Sequence, residues 1–297
     1  MKPHASMSSS SQFLPALGGY HLLSTLVDSG QAFGWLSIDG WIYGVIDGRA
    51  YKLRQASAGV EWCSSDHADD GSKLRAYLRA DEDIEGILQG FPVDEYLAAA
   101  VEYAPGLRLV RQEPWECLAS FLISPLKQIV QIKQVLHSLR RGLGVPVSLD
   151  GHEFHGFPTA AQIAAGDEDF LRSHKMGFRA RNLLGTARQI AAGDIDLSAV
   201  SQMDYPAAVE ELCKLRGVGR KIADCVLLFA YGKQEAFPID VWIERVLHRL
   251  YFPRARNLHR RRLERFAAEY FHPHGGYAQQ YLFHYVRHHP GILDKRG

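Results

Sequence analysis

Residues 215–225 of this chain read Leu-Arg-Gly-Val-Gly-Arg-Lys-Ile-Ala-Asp-Cys, and Phe-Pro-Ile-Asp follows at residues 237–240. Gly217 and Gly219 predict a tight turn between two helices, because glycine lets the backbone approach another chain closely. The N–H groups at the start of the second helix attract an anion. We interpret the stretch as a phosphate-binding helix-hairpin-helix. The alternatives are an ordinary glycine cap at a helix end and a DNA-binding hairpin that catalyses nothing.

Lys221 and Asp240 give this hairpin two side chains that could take part in a reaction. Lys221 falls in the first turn of the helix that follows the glycines. Its amine is a nucleophile of the type that forms a Schiff base with the aldehyde carbon of a sugar. Asp240 is a good N-cap for the next helix and also a free carboxylate. Taken alone, each residue has a simpler explanation, as a phosphate-binding lysine and a capping aspartate, but their combination with the hairpin favours catalysis.

Prolines, capping residues and glycines divide the second half of the chain into helices. Pro114 and Pro125 are placed to open helices, Asp167 and Asp240 are placed to cap them, and Gly193 is placed to end one. The predicted helices cover residues 115–123, 125–140, 167–174, 179–192, 205–215, 221–231, 258–271 and 277–288. A further helix is predicted to start at residue 240.

The first half has a different pattern. Apolar and polar residues alternate between residues 33 and 63 around two Asp-Gly pairs, Asp39-Gly40 and Asp47-Gly48, which are strong signals for β-hairpins. We therefore predict an α+β fold: a smaller N-terminal domain with an antiparallel sheet (residues 12–110), then a mainly helical domain (residues 111–297). Residues 1–11 are predicted to be a disordered tail.

Charge follows the same division. Residues 1–110 carry 8 Lys plus Arg against 14 Asp plus Glu, a net charge of −6, and residues 111–297 carry 26 against 19, a net charge of +7. The basic half is where a phosphate backbone would bind. From the charge alone, DNA binding and an ordinary solvated surface are about equally good explanations.

The composition excludes several classes of protein. The chain is 46% hydrophobic and 23% charged and has no apolar run long enough to span a membrane and no secretory signal, so we expect a cytosolic, nucleoid-associated or nuclear protein without membrane contact. Its four cysteines form no Cys-x-x-Cys pair, and none follows Cys225. We therefore expect no disulfide framework, no iron–sulfur cluster, no metal and no cofactor.

At this point the residues resemble the 8-oxoguanine DNA glycosylase branch of the helix-hairpin-helix glycosylase superfamily. The central motif is Gly-Val-Gly-x-Lys-x-Ala-Asp-Cys at residues 217–225 with Pro-x-Asp at 238–240, and residues 113–121 and 155–158 match as well. The resemblance covers residues 30–283. It implies a monomeric enzyme that binds double-stranded DNA, flips out a damaged base, excises an oxidised purine and then cleaves the strand at the abasic site.

The resemblance also implies roles for individual residues. Lys221 corresponds to the nucleophile and Asp240 to the carboxylate that supports the sugar cation. A flipped base has to be held at its faces and edges, and the residues that correspond to this grip are Gly30, Cys225, Gln279 and Phe283. The positions that correspond to DNA contacts are Leu126, Lys127, Phe178, Arg179, Gly217, Val218, Gly219 and Trp242, with Leu126 and Phe178 as apolar wedges and Lys127 as a phosphate contact.

Because the chain departs from the family pattern at several positions, its sequence supports the type of reaction better than the identity of the substrate. Residues 124–128, Ser-Pro-Leu-Lys-Gln, stand where the family has a run of asparagines, and Gln131 stands where an arginine reads the opposite cytosine. Trp242 replaces a histidine that contacts phosphate, and Arg216 replaces a proline. The alternatives are a glycosylase for alkylated or other damaged bases and a non-catalytic helix-hairpin-helix DNA-binding module. The presence of both Lys221 and Asp240 argues against the second.

Overall fold

The protein has an α+β fold, as predicted, with an antiparallel sheet near the N-terminus and helices through most of the rest. The computed structural model describes residues 11–16, 19–125, 128–255 and 258–294. Residues 1–10, in the predicted tail, and Leu126 and Lys127, two of the predicted DNA contacts, lie outside these ranges.

The main sheet has five antiparallel strands in the order β1-β5-β4-β3-β2. The strands are β1 (Gln12–Pro15), β2 (Leu36–Ile38), β3 (Trp41–Ile46), β4 (Arg49–Ala56) and β5 (Gly59–Ser64). Asp39 and Gly40 have φ values of 47° and 80°, and Asp47 and Gly48 have 49° and 76°. Positive φ at both central residues matches the twist of two-residue hairpins, so the two predicted hairpins, β2–β3 and β3–β4, are confirmed.

Helices form most of the rest of the fold. Their bounds are α1 (Ser72–Leu78), α2 (Ile84–Gln89), α3 (Glu95–Tyr103), α4 (Pro114–Ile123), α5 (Ile129–Leu143), α6 (Ala160–Ala164), α7 (Glu168–Ser173), α8 (Arg179–Ala192), α9 (Leu197–Val200), α10 (Tyr205–Cys213), α11 (Arg220–Phe229), α12 (Val241–Val246), α13 (Arg260–Tyr270) and α14 (Gly275–His288). Short π-helical turns lie at Ser24–Asp28 and Leu247–Tyr251. No helix within the described ranges is long and apolar enough to cross a membrane.

Four clusters of buried apolar residues hold the described elements together, and three of them are large. One lies between the main sheet and α1 and includes Leu53, Trp62 and Leu78. The largest is helical and is built around α4, α8 and α11, and the third joins α12, α13 and α14. Since α11 is buried along nearly its whole length, the turn before it is held by the largest core of the protein.

Two local predictions differ from the structure. The helix predicted from Pro125 begins at Ile129, where Gln128 is its N-cap residue and Gln131 completes a capping box. The second half also contains a hairpin that we did not predict, β6 (Pro146–Leu149) and β7 (His152–His155), which packs on β3 and β4 of the main sheet. Its turn is Asp150-Gly151, the same Asp-Gly signal, with both residues at positive φ.

Candidate active site

The predicted hairpin is present between α10 and α11. Gly217 has φ of 79°, and Gly219 is the N-cap residue of α11. A Cβ added to Gly219 would meet no atom within 4 Å, so the surface outside this residue is open. Val218 differs from its neighbours, because its side chain is 6% exposed and its N–H donates to the carbonyl of Leu215. Both the side chain and the N–H of Val218 are therefore engaged within the protein, and a DNA contact by Val218 stays a prediction.

A cavity of about 440 Å³ opens beside the N-terminus of α11. Seven of the predicted site residues line it, although they come from four separate parts of the chain: Gly30, Lys221, Cys225, Asp240, Trp242, Gln279 and Phe283. The side chains are mixed in character, with a cation, an anion, an amide and several apolar groups. Such a cavity is large enough for a small planar ligand, and its polar side chains can orient that ligand.

Lys221 is half-buried at the edge of this cavity. Its Nζ lies 3.2 Å from the hydroxyl oxygen of Ser124 and 5.4 Å from the centre of the Phe121 ring. Cys225, one helical turn later, faces the same cavity. Burial raises the pKa of the Cys225 thiol to about 12, so the thiol is uncharged at physiological pH, and it shares a side-chain hydrogen bond with Lys221.

A cluster of hydrogen bonds next to Lys221 joins α10 to α11. Arg220 Nε donates to both oxygens of Asp224, at 2.9 and 3.1 Å, and Arg220 Nη2 donates to the hydroxyl of Tyr205 at 2.9 Å. The Tyr205 hydroxyl in turn donates to Asp224 Oδ1 at 2.7 Å. The buried charge of Asp224 is therefore compensated by Arg220, and the first turn of α11 is held in place.

Asp240 caps α12, as predicted. Its Oδ1 accepts a hydrogen bond from the N–H of Ile243 at 2.9 Å. Trp242, two residues later, is half-buried on the cavity wall, and the guanidinium of Arg245 lies over its ring at 5.7 Å. A tryptophan at this position offers an apolar surface where a charged or imidazole group would offer a hydrogen bond to phosphate.

Gly30 lies on the far wall of the cavity, with φ of 71°. A Cβ at this position would lie 2.6 Å from Ile129 Cδ1 and 3.4 Å from Phe283 Cε1, so a larger residue would require the Ile129 side chain to shift and would be strained at this φ. The next residue, Gln31, is fully buried and fixes the turn: its Nε2 donates to the carbonyl of Arg108 at 2.8 Å, and its Oε1 accepts from the N–H of Val110 at 2.9 Å.

Three side chains from the helical half hold the carbonyls just before Gly30. Lys133 Nζ donates to Val27 O at 2.9 Å, Arg287 Nη1 donates to Asp28 O at 2.9 Å, and Gln280 Nε2 donates to Ser29 O at 3.0 Å. These three carbonyls, at the end of the π-helical turn, would otherwise lack partners within the helix. The position of Gly30 is thus set by α5 and α14, which are far from it in sequence.

Gln279 and Phe283 lie one turn apart on α14 and both face the cavity. Gln279 is 5% exposed, and its side-chain Oε1 is buried without a hydrogen-bond partner among the described residues. A buried polar atom without a partner is costly and calls for an explanation. The Phe283 ring has the Arg287 guanidinium at 5.3 Å from its centre, which holds the ring at the cavity wall.

Phe178 and Arg179, the predicted wedge and its neighbour, lie outside the cavity. Phe178 is 60% exposed at the start of α8. Arg179 is buried, lies over the Phe178 ring at 4.5 Å and donates a hydrogen bond from Nη2 to the carbonyl of Pro125. Phe178 is free to enter a DNA stack, whereas the guanidinium of Arg179 already binds the protein.

Several residues of the cavity wall were not predicted from the sequence. Ser124, Phe121, Ile129, Gln280 and Arg287 line it as well. One signal was available for Arg287: it stands four residues after Phe283, and residues at this spacing meet on one face of a helix. Among the described residues, no group of three or more His, Cys, Asp or Glu side chains is placed to hold a metal ion.

Two family models match most of the chain. Residues 20–118 match the N-terminal domain of 8-oxoguanine DNA glycosylase, and residues 127–273 match the HhH-GPD superfamily base excision DNA repair protein model. A probable N-glycosylase/DNA lyase of Methanothermobacter thermautotrophicus is 34% identical over 225 residues, which cover 69% of this chain and 71% of the relative.

Solved structures give the same result. The structure of MBOgg1 in complex with a low-affinity DNA ligand is 28% identical, with a TM-score of 0.88, and the match covers 95% of this chain and 99% of that chain. The Clostridium acetobutylicum 8-oxoguanine glycosylase/lyase, in complex with double-stranded DNA containing cytosine opposite 8-oxoguanine, is 26% identical, with a TM-score of 0.86 and the same coverage. The chain therefore belongs to the HhH-GPD superfamily of base excision DNA repair proteins and carries the N-terminal domain of the 8-oxoguanine DNA glycosylases.

Proposed function

We propose that this protein excises 8-oxoguanine from double-stranded DNA and then cleaves the strand at the abasic site, as an N-glycosylase/DNA lyase. One observation carries the proposal: the amine of Lys221 and the carboxylate of Asp240 line the same cavity as an unpartnered amide oxygen and an aromatic ring. A flipped nucleotide needs all four, since its sugar has to be attacked and its base has to be gripped.

In the proposed reaction, Lys221 Nζ forms a bond to C1′ of the sugar while the bond between C1′ and the base breaks. The base leaves with the bonding electron pair and takes up a proton, and the nitrogen loses one. Asp240 stabilises the positive charge that develops on the sugar, an electrostatic effect that is strong in a site without water. Opening of the sugar ring gives a Schiff base between Lys221 and C1′.

The same Schiff base accounts for the strand cleavage. It acidifies the protons on C2′, and loss of one of them expels the 3′-phosphate by β-elimination. Water then hydrolyses the imine and returns Lys221 to its free form. No oxidant, metal or cofactor is needed for this sequence of steps.

The cavity walls fit the proposed base. Phe283 and Cys225 would cover the two faces of the purine, and the unpartnered Oε1 of Gln279 would accept a hydrogen bond from its pairing edge. The carbonyl of Gly30 would accept the additional N–H that 8-oxoguanine has and guanine lacks. Because a site that hydrogen-bonds a substrate N–H rejects an analogue without it, Gly30 would set the preference for the oxidised base.

The DNA backbone would lie across the hairpin and the exposed Phe178. We propose that the N–H groups around Gly217 and Gly219 hold a phosphate, that Phe178 enters the gap left by the flipped nucleotide, and that Leu126 and Lys127 contact the opened duplex from the loop before α5. Trp242 would pack near the sugar without binding phosphate. We further propose that the protein acts as a monomer in the compartment that contains the DNA.

Borohydride reduction tests this function directly, because it converts a Schiff base into a stable bond that only an amine can form. The wild-type protein should form a covalent adduct with a duplex that contains 8-oxoguanine, and Lys221→Gln should not, although it should still bind the DNA. Lys214→Gln is a matched control, since Lys214 is an exposed lysine at the end of α10 beside the same hairpin. An adduct at wild-type yield from Lys221→Gln would overturn the assignment of the nucleophile.

A further inference from the structure

Ser124 is the residue immediately after α4, and its hydroxyl has two partners. Its Oγ donates a hydrogen bond to the carbonyl of Phe121 at 2.8 Å, and the same oxygen lies 3.2 Å from Lys221 Nζ. A serine hydroxyl has one proton to donate and two lone pairs. Because the proton is directed at Phe121, the oxygen can only accept a hydrogen bond from Lys221.

The partners of Lys221 are therefore uncharged: the hydroxyl oxygen of Ser124 and the neutral thiol of Cys225, which also shares a hydrogen bond with the lysine. Within the described ranges, no carboxylate oxygen forms an ion pair with Lys221 Nζ, and the closest acid along the helix, Asp224, is bound to Arg220. A carboxylate in the place of Ser124 would bind the ammonium form strongly and oppose its deprotonation. A hydroxyl oxygen can fix the direction of one N–H without adding a negative charge.

We propose that Ser124 is a positioning residue for Lys221: by accepting one N–H of the amine, it directs the nitrogen lone pair into the cavity toward the sugar. This inference rests on the proposed function of Lys221. A free lysine side chain rotates about four bonds, so most of its orientations leave the lone pair pointing away from the sugar. Correct orientation of a nucleophile is a recognised source of rate enhancement.

The position of Ser124 is itself fixed from both sides. On one side it is the C-cap residue of α4, which is buried along its length. On the other side, the carbonyl of Pro125 accepts a hydrogen bond from Arg179. Arg179 thus holds the segment that carries Ser124, while its neighbour Phe178 faces solvent.

The competing explanation is that Ser124 only completes the end of α4. Ser201 provides a matched control for this explanation, because it is the C-cap residue of α9 and its Oγ donates to the carbonyl of Ser198 at 2.7 Å. It has the same local hydrogen bond as Ser124 but lies outside the cavity. Ser124→Ala and Ser201→Ala therefore remove the same type of cap, and only the first removes the acceptor for Lys221.

The experiment compares the wild type with Ser124→Ala, Ser124→Thr and Ser201→Ala on a duplex with a preformed abasic site, where no base has to be gripped. The rate of borohydride trapping, the Kd for the duplex and the free energy of unfolding are measured for each. We expect Ser124→Ala to trap about tenfold more slowly, which corresponds to the loss of one hydrogen bond, with its Kd unchanged within about twofold. Ser124→Thr keeps the hydroxyl and should trap within about threefold of the wild type.

Two outcomes overturn the inference while the proposed function stands. In one, the wild type forms the adduct and Ser124→Ala forms it equally fast. In the other, Ser124→Thr is slowed as much as Ser124→Ala, which would mean that packing and not the hydroxyl matters. A wild-type protein that forms no adduct overturns the proposed function of Lys221 and this inference with it. We expect Ser201→Ala to change stability only.

Discussion

Asp240 Oδ1 accepts a hydrogen bond from the backbone N–H of Ile243 at 2.9 Å, and the same carboxylate faces the cavity that holds Lys221. One oxygen thus caps α12 and the other is left for the substrate. The helix therefore fixes the direction of the carboxylate, and a role in stability is combined with the proposed role in catalysis. An asparagine at this position separates the two roles, because its amide oxygen can still cap the helix but carries no charge.

We expect Asp240→Asn to fold and to excise 8-oxoguanine at least about 100-fold more slowly than the wild type, because it lacks the negative charge that stabilises the sugar cation. The free energy of unfolding should change by less than about 1 kcal/mol, since the cap remains. Single-turnover excision and chemical denaturation measure the two effects separately. An unchanged rate in a folded variant would show that Asp240 is only a cap.

Gln279 and Gln280 should respond in opposite ways to the same substitution. The Oε1 of Gln279 is buried without a partner in the part of the chain that the structure describes, whereas Gln280 donates to Ser29 O at 3.0 Å. Gln279→Leu should leave the free energy of unfolding unchanged or raise it by up to about 1 kcal/mol, and Gln280→Leu should lower it by about 1–3 kcal/mol. Denaturation curves for the two variants test these signs.

Excision activity is a second measurement that distinguishes Gln279 from Gln280, because we propose that Gln279 binds the base. Gln279→Leu should excise 8-oxoguanine at least about tenfold more slowly, because the pairing edge of the base would lose a hydrogen bond in a buried site. Cleavage of a preformed abasic site should stay near the wild-type rate, since no base is held there. A stability loss in Gln279→Leu equal to that of Gln280→Leu would show that Gln279 is a structural residue.

The two glycines of the hairpin should also separate folding from DNA binding. Gly217 has φ of 79°, and an added Cβ would lie 2.7 Å from Asn182 Cγ, so Gly217→Ala should lower the free energy of unfolding by about 1–3 kcal/mol. An added Cβ on Gly219 meets no atom of the described residues within 4 Å, so Gly219→Ala loses only the N-cap preference for glycine and should change the free energy of unfolding by less than about 1 kcal/mol.

DNA binding provides the second readout for this pair. A Cβ on Gly219 would stand where we propose that a phosphate approaches the N-terminus of α11, so Gly219→Ala should weaken duplex binding by about tenfold at fixed salt. Affinity measured by fluorescence anisotropy, beside denaturation of the same samples, tests the expectation. Wild-type affinity in Gly219→Ala would remove the hairpin from the DNA interface.

The base opposite the lesion should be discriminated only weakly. Bidentate contacts of arginine or asparagine to a base edge contribute about 1–3 kcal/mol each, and this chain has Leu126 and Gln131 at the corresponding positions. The Oε1 of Gln131 accepts a hydrogen bond from the N–H of Gln128 at 3.1 Å, so its side chain already caps α5. Excision rates opposite cytosine, adenine, thymine and guanine should lie within about tenfold of one another, or about 1.4 kcal/mol.

Single-turnover rates on four duplexes that differ only in the opposite base measure this preference. Gln131→Arg is a second variant to measure, because it introduces a long cationic side chain and removes the cap of α5. We expect it to raise the preference for cytosine opposite the lesion. A preference above about a hundredfold in the wild type would show that other residues read the opposite base.

Much of the fold could be predicted because its signals are local. The Asp-Gly turns, the cap at Asp240 and the helix 179–192 depend on backbone preferences and on hydrogen bonds within three or four residues, which the sequence states directly. Asp150-Gly151 carries the same signal, but it lies between the predicted helices 125–140 and 167–174, where we predicted no element. The start of α5 was placed too early because a proline permits a helix start without requiring one there.

The sequence by itself determined the hairpin, the two residues of the proposed chemistry and the division into a sheet-containing part and a helical part. Only the tertiary structure decided what surrounds them. The oxygen that contacts Lys221 belongs to Ser124, 97 positions earlier, and the carbonyl that holds Gln280 belongs to Ser29, 251 positions away. Such pairs leave no periodic or local pattern, because helices pack through contacts that are set by the shape of the whole core and not by neighbours along the chain.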